Sequence, residues 1–198
     1  MSSLCFTHLR GSQALPLLEE LAHLRISIFQ DFPYLYDGDL DYERRYLKTY
    51  IECPDSLVTI CREGSAIVGA STAIPLRFEE PAFQAAFTQE GIDPRSVMYF
   101  GESLLLPAFR GQGAGKEFFH RRLEYARSYP GIAWASFCAV VRPENHPRRP
   151  LLYRPLDGLW KSFGFSPREG MLGFYTWKDT DAPEAAAKPM QYWLKSMI

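Results

Sequence analysis

The sequence has no surplus of charge of either sign: 22 Lys and Arg stand against 23 Asp and Glu in 198 residues. That balance argues against a nucleic-acid binder or a membrane-surface protein, because no excess of cations is present to neutralise phosphates. No apolar run approaches the ~20 residues that cross a bilayer. The opening MSSLCFTHLR has polar residues where the core of a secretory signal would stand, so a cytoplasmic location is expected. Cysteine is scarce. Cys5, Cys53, Cys61 and Cys138 form no C-x-x-C pair, which disfavours a structural zinc site or a thioredoxin-like motif and leaves buried thiols as the expectation. His8, His23, His120 and His146 make no spaced pair either, so no metal is expected. Repeats and low-complexity blocks are absent.

What is present is an ordered alternation of strand and helix patterns. Residues 3–9 read as a strand, and Leu17, Leu21, Leu24 and Ile28 recur at helical spacing between Ala14 and Gln30. A second helix is predicted over Tyr42–Ile51. Two strands follow, joined at Glu63-Gly64, then one short helix and a strand MYFGESLLL. A helix is expected from about Gly113 to Tyr129, then a strand IAWASFCAVV, a short helix near Leu159–Phe163 and a late strand GFYTWKD. Met190, Trp193, Leu194, Met197 and Ile198 fall at i, i+3, i+4, i+7 and i+8. That stripe predicts a docking helix at about residues 188–198, with a homodimer contact as the open alternative. The length suits a single domain over 1–198. An antiparallel front half with a strand–helix–strand unit in the middle implies a mixed α/β fold, a sheet flanked by helices.

The stretch from Leu104 to Arg122, LLLPAFRGQGAGKEFFHRR, carries alternating glycines at 111, 113 and 115 between a strand pattern and a helix pattern. Glycine permits positive φ and close backbone approach, and a helix start offers unpaired N–H groups, so this turn suits an anion, above all a phosphate. A Walker A loop is excluded because Arg110 stands at its first glycine and Glu117 at its magnesium-binding hydroxyl. A dinucleotide fingerprint fails because Lys116 stands at its third glycine.

Arg110-Gly111-Gln112-Gly113-Ala114-Gly115 does fit R/Q-x-x-G-x-G/A in full, and here the chain resembles the GNAT superfamily of N-acetyltransferases. Arg25-x-x-x-Phe29, Ile67-Val68-Gly69 and Gly164-Phe165 fall in order where that family has its outlying markers. The resemblance implies a mostly antiparallel twisted sheet of about six or seven strands. It implies acetyl-CoA as cosubstrate, with its pyrophosphate on Arg110 through Lys116 and its pantetheine aligned by the backbone of Leu104, Leu105 and Leu106.

The chemistry implied is direct attack of an amine on a thioester, with a base for the ammonium and an acid for the thiolate. Glu102 is the carboxylate placed for the base. Counted from the glycine motif it stands one residue out of the commonest register, which would turn it to the opposite face. The family's usual acid is a Tyr, but here that position is Trp160, whose indole N–H has no useful acidity. Tyr153 is the candidate substitute. In this family the first two helices wall the acceptor groove, so Phe29, Tyr34 and Tyr36, with Asp31, Asp37, Asp39 and Asp41 nearby, are expected to meet a cationic amine. Arg142, Arg148, Arg149 and Arg154 gather in a later loop and suit a carboxylate or the coenzyme's ribose phosphate. The expected acceptor is a small-molecule primary amine, amino-acid-like or polyamine-like. The competing expectation is a non-catalytic acyl-CoA-binding or sensing module.

Overall fold

The computed structural model describes residues 4–198, so Ser3 of the expected first strand lies outside the described residues. The strands are β1 (Cys5–Leu9), β2 (Leu57–Glu63), β3 (Ala66–Pro75), β4 (Val97–Tyr99), β5 (Ser103–Leu105), β6 (Trp134–Val140), β7 (Ser166–Lys178) and β8 (Ala185–Ser196). The helices are α1 (Leu18–Phe29), α2 (Leu40–Glu52), α3 (Pro81–Gln89), α4 (Ala114–Ser128) and α5 (Asp157–Ser162). One eight-stranded sheet runs β1-β2-β3-β4-β6-β8-β7, with β5 also on β3. Among the described residues only β4 and β6 pair in parallel, and every other ladder is antiparallel.

Local sequence explains most boundaries. Pro16 lacks an N–H, and residues 11–17 form a 3-10 turn, so the α-helix expected from Ala14 begins only at Leu18. The Asp39 side chain accepts from Tyr42 N–H at 2.8 Å and caps α2. The β2–β3 hairpin turns at Gly64, with φ of 57°. Helices α1, α2 and α3 pack on one face of the sheet around Leu21, Tyr50, Phe87 and Tyr192. On the other face α4 and α5 pack around Phe100, Phe119, Phe137 and Trp193.

Two expectations are corrected. The tail is strand β8, not a docking helix. It lies between β6 and β7 and is covered on both faces: Tyr192 meets Phe87 of α3 edge-on at 5.2 Å, while Trp193 meets Trp160 of α5 at 4.9 Å. A strand buried on both sides has no reason to alternate, so its apolar residues fit a helical stripe by coincidence. Second, MYFGESLLL is two strands, β4 and β5, parted by a bulge. Gly101 N–H donates to the Thr72 carbonyl at 3.2 Å and Glu102 N–H to Thr72 Oγ1 at 3.2 Å, so two residues oppose one. Cys53 and Cys61 are buried, whereas Cys5 is exposed on β1.

Candidate active site

The last bond from this strand to β6 runs from Phe100 N–H to the Ser136 carbonyl, 2.7 Å. Beyond it β5 pairs with β3, and β6 pairs with β8, so the two neighbours diverge. Leu106 N–H donates to the Val68 carbonyl at 2.9 Å and Thr72 N–H to the Glu102 carbonyl at 3.2 Å. The alternation of an antiparallel ladder therefore turns Leu104 toward β3 and the peptide groups of Ser103 and Leu105 into the gap. Leu106 is also bonded internally, its carbonyl accepting from Phe109 at 3.0 Å. Of the three leucines singled out in the sequence, Leu105 alone presents its backbone to the opening. Ser103, not singled out, does the same.

A 3-10 turn over Pro107–Phe109 leads from β5 into the glycine turn. Gly111 and Gly113 have φ of 78° and 91°, and nothing lies within 4 Å of where a Cβ would stand on either. Their conformation requires glycine, and the space beside them is open. Gly113 is the N-cap of α4, and its carbonyl receives the N–H groups of Lys116 and Glu117 at 3.0 and 3.1 Å. Among the described residues the N–H groups of Gly111, Gln112, Gly113, Ala114 and Gly115 find no backbone acceptor. Five donors at the positive end of a 15-residue helix are able to hold an anion. Arg110 folds back, its Nε donating to the Leu105 carbonyl at 3.2 Å. Glu117, the acid closest in sequence, is engaged by Arg121 at 2.6 Å.

At the apex of the gap the bulge sets the side chains. Without it Glu102 would follow Met98 and Phe100 onto the α4 face. The extra residue turns it to the opposite face, where it is 6% exposed and accepts from Arg25 Nη1 at 2.5 Å and Tyr46 Oη at 3.1 Å. Arg25 also donates to Glu43, which is fully buried. Burial works against charge on Arg25, but Glu102, Tyr46 and Glu43 override it and hold the guanidinium well above its ordinary range. From the α4 face Arg122, itself buried, donates to the Glu102 carbonyl at 3.1 Å and to Ser103 Oγ at 2.7 Å. The bulge is clamped from both sides.

Around Glu102 stand aromatic groups from the α1–α2 loop. The Tyr34 ring lies 4.5 Å from Phe29, and its phenol interacts electrostatically with Cys138, Arg25, Tyr153 and Glu102. Burial keeps the Tyr34 phenol protonated. Tyr36 is bridged to Asp179, its hydroxyl accepting from Asp39 N–H at 3.2 Å and interacting with the Glu43 carboxylate of the Arg25 cluster. Tyr153 packs edge-on against Phe32 at 4.8 Å, and burial raises its phenol pKa. Trp160 faces away, against Phe137 and Trp193 at 5.1 and 4.9 Å, as part of the core under α5.

The charged loops are occupied with each other. Asp37 pairs with Lys178 at 2.7 Å, Asp41 with Arg44 at 2.8 Å, and Asp39 caps α2. Arg142 grips Asp179 with both terminal nitrogens, at 2.8 and 2.9 Å, and reaches the Pro33 and Tyr34 carbonyls. These charges fasten the α1–α2 loop to the end of β7. Sequence reading missed Arg25 as the centre of a buried cluster, and Glu43, Tyr46, Tyr50, Glu79 and Arg122 altogether. Glu43, Tyr46 and Tyr50 share one helical face with Leu47, and polar groups on a buried face were the available signal.

Strands parted beside a turn of backbone N–H donors, with a carboxylate at the apex, define an acyl-group transferase of mixed α/β build. The sequence profile of the acetyltransferase (GNAT) family matches residues 19–157, and the chain belongs to that family. Among solved structures, NAA60 of Arabidopsis thaliana in complex with acetyl-CoA aligns with a TM-score of 0.64 at 14% identity, covering 98% of this chain and 99% of that one. A ribosomal-protein-alanine N-acetyltransferase of Brucella melitensis gives 0.60 at 14% identity, covering 98% and 99%. The protein yncA of Salmonella typhimurium, with its cofactor acetyl-CoA, gives 0.57 at 12%, covering 98% and 94%. No curated protein sequence matches this chain. Among the described residues no helix is long and apolar enough to cross a membrane, and no three metal-ligating side chains cluster.

Proposed function

We propose that the protein moves an acetyl group from acetyl-CoA to the primary amine of a small molecule with an apolar or aromatic body. The observation that carries the reading is the bulge: it brings Glu102 to the apex of the parted strands, on the face of α1 and α2. Acetyl-CoA supplies a thioester whose carbonyl carbon the amine attacks, forming a C–N bond as the C–S bond breaks. The fit of the coenzyme rests on five unbonded N–H groups beside two glycines with open space, and similar structures hold acetyl-CoA. In this scheme Arg110 leaves the Leu105 carbonyl to join Lys116 on the diphosphate, and Ser103 and Leu105 hydrogen-bond the pantetheine.

Glu102 gives the ammonium a countercharge and takes its proton. Tyr153, whose phenol stays protonated, donates to the departing sulfur in place of the family's tyrosine. Phe29 and Tyr34 bound the acceptor. Asp37, Asp39, Asp41 and Arg142 are engaged elsewhere, and the aromatic rings of Phe29 and Tyr34 favour an amine with an apolar or aromatic body. Thiol release from acetyl-CoA across aromatic amines, polyamines, amino acids and peptide N-termini, beside a thermal-shift titration, tests this. Turnover confined to peptides would reassign the acceptor; stabilisation by acetyl-CoA without turnover on any amine would favour a binding module.

A further inference from the structure

Hydrogen bonding continues past Glu102, away from Arg25. The Tyr46 hydroxyl, 3.1 Å from Glu102 Oε2, is also 3.1 Å from the Tyr50 hydroxyl, and Tyr50 donates to Glu79 Oε1. Gly101 leaves the room this needs, since a Cβ there would stand 2.1 Å from the Tyr50 oxygen. Glu79 is 4% exposed, but it sits between exposed Phe78 and Glu80 at the entry to α3. The chain of groups therefore runs from the apex of the gap to a carboxylate flanked in sequence by two exposed residues.

Of the three buried carboxylates here, Glu43 and Glu102 pair with Arg25, and Arg122 acts electrostatically on Glu102 and Tyr50, whereas neither arginine pairs with Glu79. Facing Glu79 from α2 are Tyr42, Tyr46 and Tyr50, and from the bulge Glu102. Cys138 of β6, Tyr175 of β7 and Tyr192 of β8 face it from the sheet, with Glu80 beside it. None of these brings a positive charge. A carboxylate so placed is costly when ionised, and burial pushes the Glu79 carboxyl up to about 7.

We infer that Glu79 is the terminal proton acceptor of the reaction, drawing the amine's proton away from Glu102 through the hydroxyls of Tyr46 and Tyr50. The inference rests on acetyl transfer at Glu102. A proton arriving on Glu102 Oε2 passes to the Tyr46 oxygen as Tyr46 gives its own proton to Tyr50, and Tyr50 gives its own to Glu79 Oε1. One O–H bond breaks and one forms at each hydroxyl. Glu102 returns to the carboxylate facing Arg25, and Glu79 ends as the acid, which loses its proton to water beside Glu80. The second proton of the amine nitrogen replaces the one that leaves with the thiol.

The test compares native protein with Glu79→Gln, Tyr50→Phe and the double variant, in turnover from about pH 5.5 to about pH 9 and in carboxyl-carbon NMR of glutamate-labelled protein. Native turnover is expected to rise through a limb near pH 7. Glu79→Gln loses that limb and roughly tenfold or more of the rate at high pH, with KM for acetyl-CoA unchanged. Tyr50→Phe does the same, and the double variant falls no further. By NMR one carboxyl titrates near 7 in native protein and disappears in Glu79→Gln. A native pH profile in Glu79→Gln, or every glutamate titrating in the usual range of about 4 to 5, overturns the relay alone. Native protein that binds acetyl-CoA yet acetylates no amine overturns the acetyl-transfer reading, and the relay with it.

Discussion

Arg25 pairs with two carboxylates at once, and its removal tests the cluster. Arg25→Met leaves Glu43 and Glu102 buried without their ion-pair partner, and a stability loss of ~3–5 kcal/mol is expected in urea unfolding. Adding Glu43→Gln should recover part of it. Glu79 works in the opposite sense. Its folded carboxyl holds a proton up to about pH 7, whereas the ordinary value is 4.5, so its contribution to stability is present in acid and is lost as pH rises through 7. Glu79→Gln, neutral throughout, should gain on the native protein between about pH 5 and pH 8.5, by up to about 3 kcal/mol in parallel thermal melts. Glu102 was legible from its place before the glycine motif. Glu79 was not, because nothing local distinguishes it from its exposed neighbour Glu80; its burial comes from strands and a helix distant in sequence.

The glycine turn could be read from six residues because its function lies in the backbone, and only glycine adopts such φ values freely. Gly113→Ala is expected to weaken the protein by ~1–2 kcal/mol through strain alone. Gly113→Glu adds bulk and negative charge beside the turn's N–H groups and should abolish the thermal shift given by acetyl-CoA; an unchanged titration would place the diphosphate elsewhere. The bulge, by contrast, leaves no local mark beyond a count from the glycine motif that sets Glu102 one residue out of register. What settles it is Thr72 on the adjoining strand, whose carbonyl and hydroxyl hold two successive N–H groups. That partner lies 30 residues away, beyond the reach of any local pattern.

At the scale of the molecule, element order sufficed for the fold class, because hairpin signals and one strand–helix–strand crossover leave few sheets to choose from. The tail was misread because both sides of β8 are covered. Its position gives a sharp test: removing residues 185–198 takes out a strand bonded to β6 and β7. Loss of cooperative unfolding is expected in circular dichroism, where a peripheral segment would leave the melt intact.

The guanidinium of Arg142 joins carbonyls 109 and 108 residues upstream to a carboxylate 37 residues downstream. The α1–α2 loop, proposed to bound the acceptor, is thereby moored to the end of edge strand β7. Lesions at Asp179, which touches the loop through Arg142 and the Tyr36 bridge, would accordingly surface as altered choice among amines while the grip on the acyl donor stayed as it was.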